Sequence, residues 1–176
     1  LQDIARELGG LDLVVYAAGM MQPVAFEEFD PAKYLATLDV NLRGALAWLD
    51  PVADRFNRLG RGPIVGIGSV AGDRGRSGNP AYCTSKAGLH TYLESIRNRV
   101  ARRGVRVVTI KPGFVDTAMT RGLDGLFWLI SADRAAEIIL GHARRGTTVA
   151  YVPARWRWVM LVIRSIPSFL FRRMKV

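Results

Sequence analysis

Pro63-Ile-Val-Gly-Ile67, closed by Gly68-Ser69, and Val105-Arg-Val-Val-Thr-Ile110, closed by Pro112-Gly113, bracket one long segment from Pro80 to about Arg103. Short apolar runs rich in β-branched residues and stopped by glycine read as buried parallel strands. The segment between them opens on proline and ends at Gly104, the signature of a helix. Strand, crossover helix and strand form the unit from which parallel sheets are built. Upstream, Leu11-Asp-Leu-Val-Val-Tyr16 is a further strand running into Ala17-Ala-Gly19. Asp30-Pro31 supplies an N-cap and a first-turn proline for a helix to about Leu59, with a kink expected near Pro51. Downstream, Ser131 or Asp133 caps a helix from about 132 to 145, and Thr147-Thr-Val-Ala-Tyr-Val152 is a last strand. Residues 70–79 read as a Gly/Ser/Arg loop, and 114–131 as irregular or one short helix. The alternation predicts an α/β fold with a doubly wound parallel sheet. In such sheets the reactive crevice lies at the carboxyl ends of the strands, where Gly19, Ser69 and Pro112-Gly113 fall.

Composition narrows the class. The chain has 176 residues, a net charge of +10, one cysteine and two histidines. One cysteine excludes an internal disulfide framework and a cysteine-based zinc site. His90 and His142 stand without a cysteine or acidic cluster, so no metal is expected. No apolar run is long enough to span a bilayer. A reducing cytoplasm is the default compartment. Residues 1–137 hold 17 Lys or Arg against 15 Asp or Glu, whereas residues 138–176 hold eight basic residues and no acid. A near-neutral body followed by a basic tail is not a nucleic-acid-binding surface. Arg97, Arg99, Arg102, Arg103 and Arg106 read as a solvated helix end favoured by the helix dipole.

Tyr82-Cys-Thr-Ser-Lys86 places a phenol and an ammonium one turn apart on a single helix face. A neighbouring cation favours phenolate, and a tyrosine so tuned exchanges protons with an alcohol or carbonyl oxygen. Ser69, at a strand end, is placed to hydrogen-bond that same oxygen. Alone, the Tyr/Lys pair reads equally as a solvated helix face.

The pair does not stand alone. Ala17-Ala-Gly19, Asn41, Gly68-Ser69-Val-Ala-Gly72, Tyr82 to Gly88 and Lys111-Pro-Gly-Phe-Val-Asp-Thr117 together resemble the short-chain dehydrogenase/reductase family over residues 1–152. The resemblance implies a Rossmann-type sheet and nicotinamide-dependent redox chemistry at a carbonyl or secondary alcohol, with NAD or NADP as cofactor. By position, it makes Tyr82 the proton donor in reduction. Lys86 lowers the Tyr82 pKa and bonds the nicotinamide ribose. Ser69 polarises the substrate carbonyl, and Asn41 holds a proton-relaying water. Ala18, Gly19, Pro112, Gly113, Val115 and Thr117 would line the cofactor. Tyr16-Ala17 replaces the family's Asn-Asn pair, so hydrogen bonding there must differ. The family's opening strand and Gly-x-x-x-Gly-x-Gly turn have no counterpart in these residues. They therefore read as the later part of a family member, with an unpaired apolar edge on the first strand and, alone, poor dinucleotide binding and no turnover. The alternatives are a non-catalytic membrane-surface or dimerisation module and a ketoacyl-carrier-protein reductase. A homo-oligomer is expected of the full-length protein.

The tail, residues 153–176, joins Trp156, Trp158, Phe169 and Phe171 to Arg155, Arg157, Arg164, Arg172 and Arg173. This composition suits peripheral attachment of residues 155–176 to an anionic bilayer, or a cover for the substrate pocket or an oligomer interface. Ser69-Val-Ala-Gly-Asp-Arg74, Lys111-Pro-Gly-Phe-Val-Asp-Thr117 and Pro167-Ser-Phe-Leu-Phe-Arg-Arg-Met174 also resemble reductases of decaprenylphosphoryl ketopentoses, which implies a lipid-linked substrate. Arg74 and Arg76 could meet an anionic substrate or remain solvated.

Overall fold

The computed structural model describes residues 1–123 and 125–174. Along the chain run α1 (Gln2–Glu7), β1 (Val14–Tyr16), α2 (Pro31–Leu38), α3 (Gly44–Leu59), β2 (Pro63–Ile67), α4 (Pro80–Val100), β3 (Arg106–Pro112), β4 (Val115–Asp116), β5 (Ile130–Ser131), α5 (Ala132–Arg145), β6 (Val149–Val152), α6 (Trp156–Ser165) and α7 (Ser168–Phe171). Strands β1, β2, β3 and β6 lie side by side in that order, all parallel. The fold is the Rossmann-type α/β arrangement expected from the sequence, with four strands in its main sheet.

The apolar runs of β2 and β3 serve both faces of the sheet. Successive side chains point to opposite sides, so a strand buried on both faces is apolar at consecutive positions. Ile64 and Val107 face Leu49, Phe56, Leu89 and Leu93 from α3 and α4. Their neighbours Val65 and Val108 face Ala135 and Ala143 of α5. The α4 side leaves no room for a side chain at Gly66, where a Cβ would overlap Leu93.

Local signals fix the helix starts. Asp30 accepts the backbone N–H of Ala32 and Lys33, Asn79 that of Tyr82, and Ser131 that of Arg134. Gly60, Gly104 and Gly146 end elements in the left-handed conformation that favours glycine.

The structure corrects several expectations. The helix after Asp30 runs to Leu59 with Pro51 inside it, and it is interrupted earlier by a wide π turn at Asp39–Arg43, which turns Asn41 fully inward. Residues 114–131 contain a small parallel sheet, β4 paired with β5. Arg97 is no solvated helix end. Its guanidinium bonds the Val107 carbonyl (2.8 Å), Thr109 Oγ1 (2.8 Å) and the Thr148 carbonyl (2.9 Å), tying α4 to the sheet.

The outer edge of β1 pairs with no strand among the described residues. Apolar grooves flank it on both sides. One, about 340 Å³, runs along α3 past Trp48 and Leu49; the other, about 450 Å³, lies under α5 beside Ile139 and Leu140. An unpaired apolar edge is a template for further strand pairing.

Candidate active site

The carboxyl ends of β1, β2 and β3 bring the site together. β2 ends at Ile67, and Ser69 then opens a 3-10 turn, its hydroxyl accepting the Ala71 backbone N–H at 3.1 Å. The Ser69 backbone N–H donates to His90 Nε2 at 3.3 Å, so α4 holds the serine from below. Tyr82 lies in the first turn of α4, fixed by the Asn79 cap at 3.1 Å. The Ser69 and Tyr82 side chains line the same cavity.

Lys86 follows one turn later and is 4 % exposed. Its ammonium donates to the Ile67 carbonyl at 3.0 Å and stands 5.7 Å from the centre of the Tyr82 ring. Asn41 completes the group from the π turn. Its Oδ1 accepts the Met20 N–H at 2.7 Å, while Nδ2 donates to the Met20 carbonyl and to Ser85 Oγ, both at 2.9 Å. Met20 follows Gly19, so Asn41 stitches the exit of β1 to α4. Tyr16, where the family pattern has asparagine, provides a related brace, its hydroxyl donating to the Val40 carbonyl at 3.2 Å.

The electrostatics depart from the expectation for tyrosine. Burial raises the Tyr82 phenol above its usual value, and the nearby Ser69 hydroxyl and the Arg76 charge only partly oppose this. Lys86 is pushed down to about 8 by burial. Desolvation therefore dominates both groups, and the sequence pattern alone could not reveal it.

Residues expected near a cofactor fall into two places. Gly113, Val115 and Thr117 line a cavity of about 260 Å³ that opens on Ser69 and Tyr82. Pro112, with Val115 and Thr117 again, borders the groove under α5. Gly19 lies against Lys86 and Asn41: a Cβ there would sit 3.2 Å from Lys86 Nζ and 3.5 Å from Asn41 Oδ1. Ala18 lies apart, in the groove beside α3.

Sequence reasoning missed a buried polar group behind Ser69. Asp73 accepts Lys111 Nζ at 2.5 Å and the Tyr151 hydroxyl at 2.6 Å, with His90 Nδ1 3.8 Å away. These residues come from four elements, and no spacing along the chain announces them.

The tail packs against this region. Trp156 and Met160 are buried with Val70, and Phe114, Phe127 and Trp128 surround the Trp156 indole at ring distances of 5.0–5.9 Å. Trp156 is therefore a core residue, not an interfacial one. Phe171 lies beneath the Arg74 guanidinium, 3.9 Å away, while Trp158 and Phe169 remain exposed. Lys175 and Val176 lie outside the described residues.

The family profile described as short chain dehydrogenase matches residues 1–125. The chain belongs to the short-chain dehydrogenase family. It is similar to an uncharacterised oxidoreductase of Myxococcus xanthus, 41 % identical over 172 residues that cover 97 % of this chain and 68 % of that protein. It is 34 % identical over 124 residues to an acetoacetyl-CoA reductase of Allochromatium vinosum, covering 70 % of this chain and 50 % of that one. It thus spans half the length of that reductase. Among solved structures, a short chain dehydrogenase from Burkholderia cenocepacia J2315 in complex with NADP shares the fold with a TM-score of 0.83, at 24 % identity over 99 % of this chain and 75 % of the other. NAD+-bound xylitol dehydrogenase matches with a TM-score of 0.62 and 25 % identity, over 66 % of this chain and 45 % of that one.

For a short-chain dehydrogenase of this shape the nicotinamide end of a dinucleotide fits. Gly19 leaves the backbone open beside Lys86 and Asn41, and among the described residues the Lys86 ammonium, which has three donors, bonds one acceptor, the Ile67 carbonyl. For the pyrophosphate end, these residues contain no Gly-x-x-x-Gly-x-Gly turn leading from a strand into a helix.

Proposed function

We propose that this chain carries the acid–base and substrate-holding part of an NAD(P)-dependent oxidoreductase that interconverts a carbonyl and a secondary alcohol. The observation supporting this is that Ser69 and Tyr82 line one cavity, with the Lys86 ammonium 5.7 Å from the Tyr82 ring and Asn41 bonded to Ser85 on the same helix. When bound, the nicotinamide supplies or accepts the hydride. The protein handles the proton. Tyr82, held protonated by burial, gives its proton to the carbonyl oxygen in reduction, and Ser69 holds that oxygen by a hydrogen bond. Lys86, bonded to the Ile67 carbonyl, keeps a positive charge near the phenolate that results and offers its remaining donors to the nicotinamide ribose. Asn41 fixes Met20 and Ser85, which sets the distance between the β1 exit and α4. Pro112, Gly113, Val115 and Thr117 form the wall against which the nicotinamide would lie.

A chimera tests this reading. The 176 residues are joined behind the strand–turn–helix opening of the Allochromatium acetoacetyl-CoA reductase, and nucleotide oxidation is followed with a panel of ketones and ketoacyl thioesters. The expected result is turnover that Tyr82→Phe lowers by roughly 10²–10⁴-fold, the usual contribution of a positioned acid. A folded, nucleotide-binding chimera without turnover, or with turnover indifferent to Tyr82→Phe, overturns the reading. Preference for acetoacetyl thioesters over free ketones would favour a ketoacyl reductase, the alternative that the likeness to acetoacetyl-CoA reductases supports.

We propose further that the outward face of the tail meets an anionic membrane surface. Among the described residues no helix is long and apolar enough to cross a membrane. The supporting observation is the exposed row Trp158, Leu161, Val162, Phe169 and Leu170, rimmed by Arg155, Arg157, Arg164, Arg172 and Arg173. Co-sedimentation with phosphatidylglycerol vesicles should fall sharply when Trp158 and Phe169 are both replaced by serine. Equal binding by both proteins would remove this reading.

A further inference from the structure

The cavity above Ser69 and Tyr82 is small, about 260 Å³, and its wall is mainly apolar. Met21, Val70, Phe114, Met119 and Leu123 supply most of it. Among the described residues that line it, one side chain is charged: Arg76. Among the described residues no carboxylate lines it.

Two arginines leave the same loop and meet different fates. Arg74 turns away from the cavity and spends its donors on the tail, bonding the carbonyls of Ile163 (2.5 Å) and Ile166 (2.6 Å). Arg76 lines the cavity, and its Nε is buried with no hydrogen-bond partner among the described residues. Its Nη2 reaches only the Met160 sulfur at 3.9 Å, and a thioether is a weak acceptor. A guanidinium is permanently charged and presents its donors as a planar fork matched to carboxylate and phosphate. A buried donor left without an acceptor is uncommon in folded proteins and calls for an explanation. Here the guanidinium belongs to the wall of the cavity where a substrate would sit.

We infer that the substrate of this site carries an oxyanion, a carboxylate or a phosphate, close to its reacting carbonyl, and that Arg76 holds it. This rests on the carbonyl–alcohol reading for the use of the cavity. The arrangement does two things for that chemistry. It fixes the substrate at a second point, so that the carbonyl is presented to Ser69 and Tyr82 in one orientation. It also offsets a charge. Arg76 pulls the Tyr82 phenol toward phenolate. An oxyanion seated on the guanidinium cancels that pull and keeps the proton donor protonated until the carbonyl takes the proton.

Binding to the 176-residue chain tests the inference without requiring turnover. Calorimetry compares acetoacetate with its neutral isostere pentane-2,4-dione, and dihydroxyacetone phosphate with dihydroxyacetone. The expected result is a preference for at least one charged partner of about ten- to a hundred-fold, the range for a charge-assisted hydrogen bond. The pair that shows it tells carboxylate from phosphate. Arg76→Met should abolish the preference and leave the neutral ligands unchanged, whereas Arg76→Lys should retain part of it. Equal binding of charged and neutral ligands, or a preference that survives Arg76→Met, overturns the inference. Should Arg76→Met not fold, the wild-type ligand pairs decide the question alone. A charge preference in a chimera that does not turn over would sink the oxidoreductase reading and leave the Arg76 site standing. Turnover confined to neutral ketones would do the reverse.

Discussion

The Arg74 guanidinium closes the end of α6 by donating to the Ile166 carbonyl at 2.6 Å, with Ile163 bonded at 2.5 Å and Phe171 stacked beneath. A helix C-terminus leaves carbonyls without intrahelical partners, and a cation placed there satisfies them and the helix dipole together. Arg74→Ala should therefore loosen the tail selectively. The expected loss is about 2 kcal/mol, with hydrogen exchange accelerated in residues 156–171 and little changed in β2 and β3. Uniform acceleration over the whole sheet would show that the tail is not anchored in this way.

Lys86 illustrates a site that works against stability. Its ammonium is buried and pushed down to about 8. Below pH 8 the folded chain holds a poorly solvated charge; between about 8 and 10.5 the unfolded chain binds a proton that the folded one does not, so stability rises with pH there. Lys86→Met should stabilise the chain by about 2 kcal/mol at pH 7, after allowance for the lost bond to Ile67. The advantage should shrink as pH rises through 8. Urea titrations at pH 7 and 9.5 check both signs. A destabilised Lys86→Met protein would mean the ammonium is needed for packing.

His90 sets the acid limit. Burial pushes it down to about 4, helped by the charges of Lys111 and Lys86 and opposed by Asp73. It must stay neutral so that Nε2 accepts the Ser69 N–H. As pH falls from 6.5 to 4, the unfolded chain takes up a proton that the folded chain refuses. Stability should fall through that window by about 3 kcal/mol from this residue. His90→Gln, which keeps an acceptor but does not titrate, should flatten the dependence measured by urea unfolding. Parallel curves for the two proteins would dismiss His90 as its source.

Gly113 is fixed by what lies over it. A Cβ there would overlap the Trp156 indole, and that ring is held by Phe114, Phe127 and Trp128. Gly113→Ala should cost about 1–3 kcal/mol, the range for overpacking, by moving α6 or the loop after β3. Adding Trp156→Leu should recover part of the loss, since the clash disappears with the ring. Additive losses in the double variant would show the two residues to be uncoupled.

Much of this protein is local in origin and could be read from the chain. The runs at 63–67 and 105–110 are apolar at consecutive positions because both faces of β2 and β3 are buried, and Asp30, Asn79 and Ser131 cap α2, α4 and α5. Tyr82 and Lys86 share one helix, so their juxtaposition follows from the helical repeat. Ser69 could be placed from its position at a strand end, but Asn41 only by resemblance, because it reaches the site from a separate element.

The sequence by itself determined the α/β order, the helix limits and the Tyr82–Lys86 pair, since these depend on neighbours a turn or a strand away. Tertiary structure alone decided the rest. It turned Arg74 to the tail and Arg76 to the cavity, although two positions separate them. It buried Trp156 and left Trp158 exposed, and it gathered Asp73, His90, Lys111 and Tyr151 behind Ser69. Burial and long-range hydrogen bonding set these outcomes, and both depend on which elements pack together rather than on spacing along the chain.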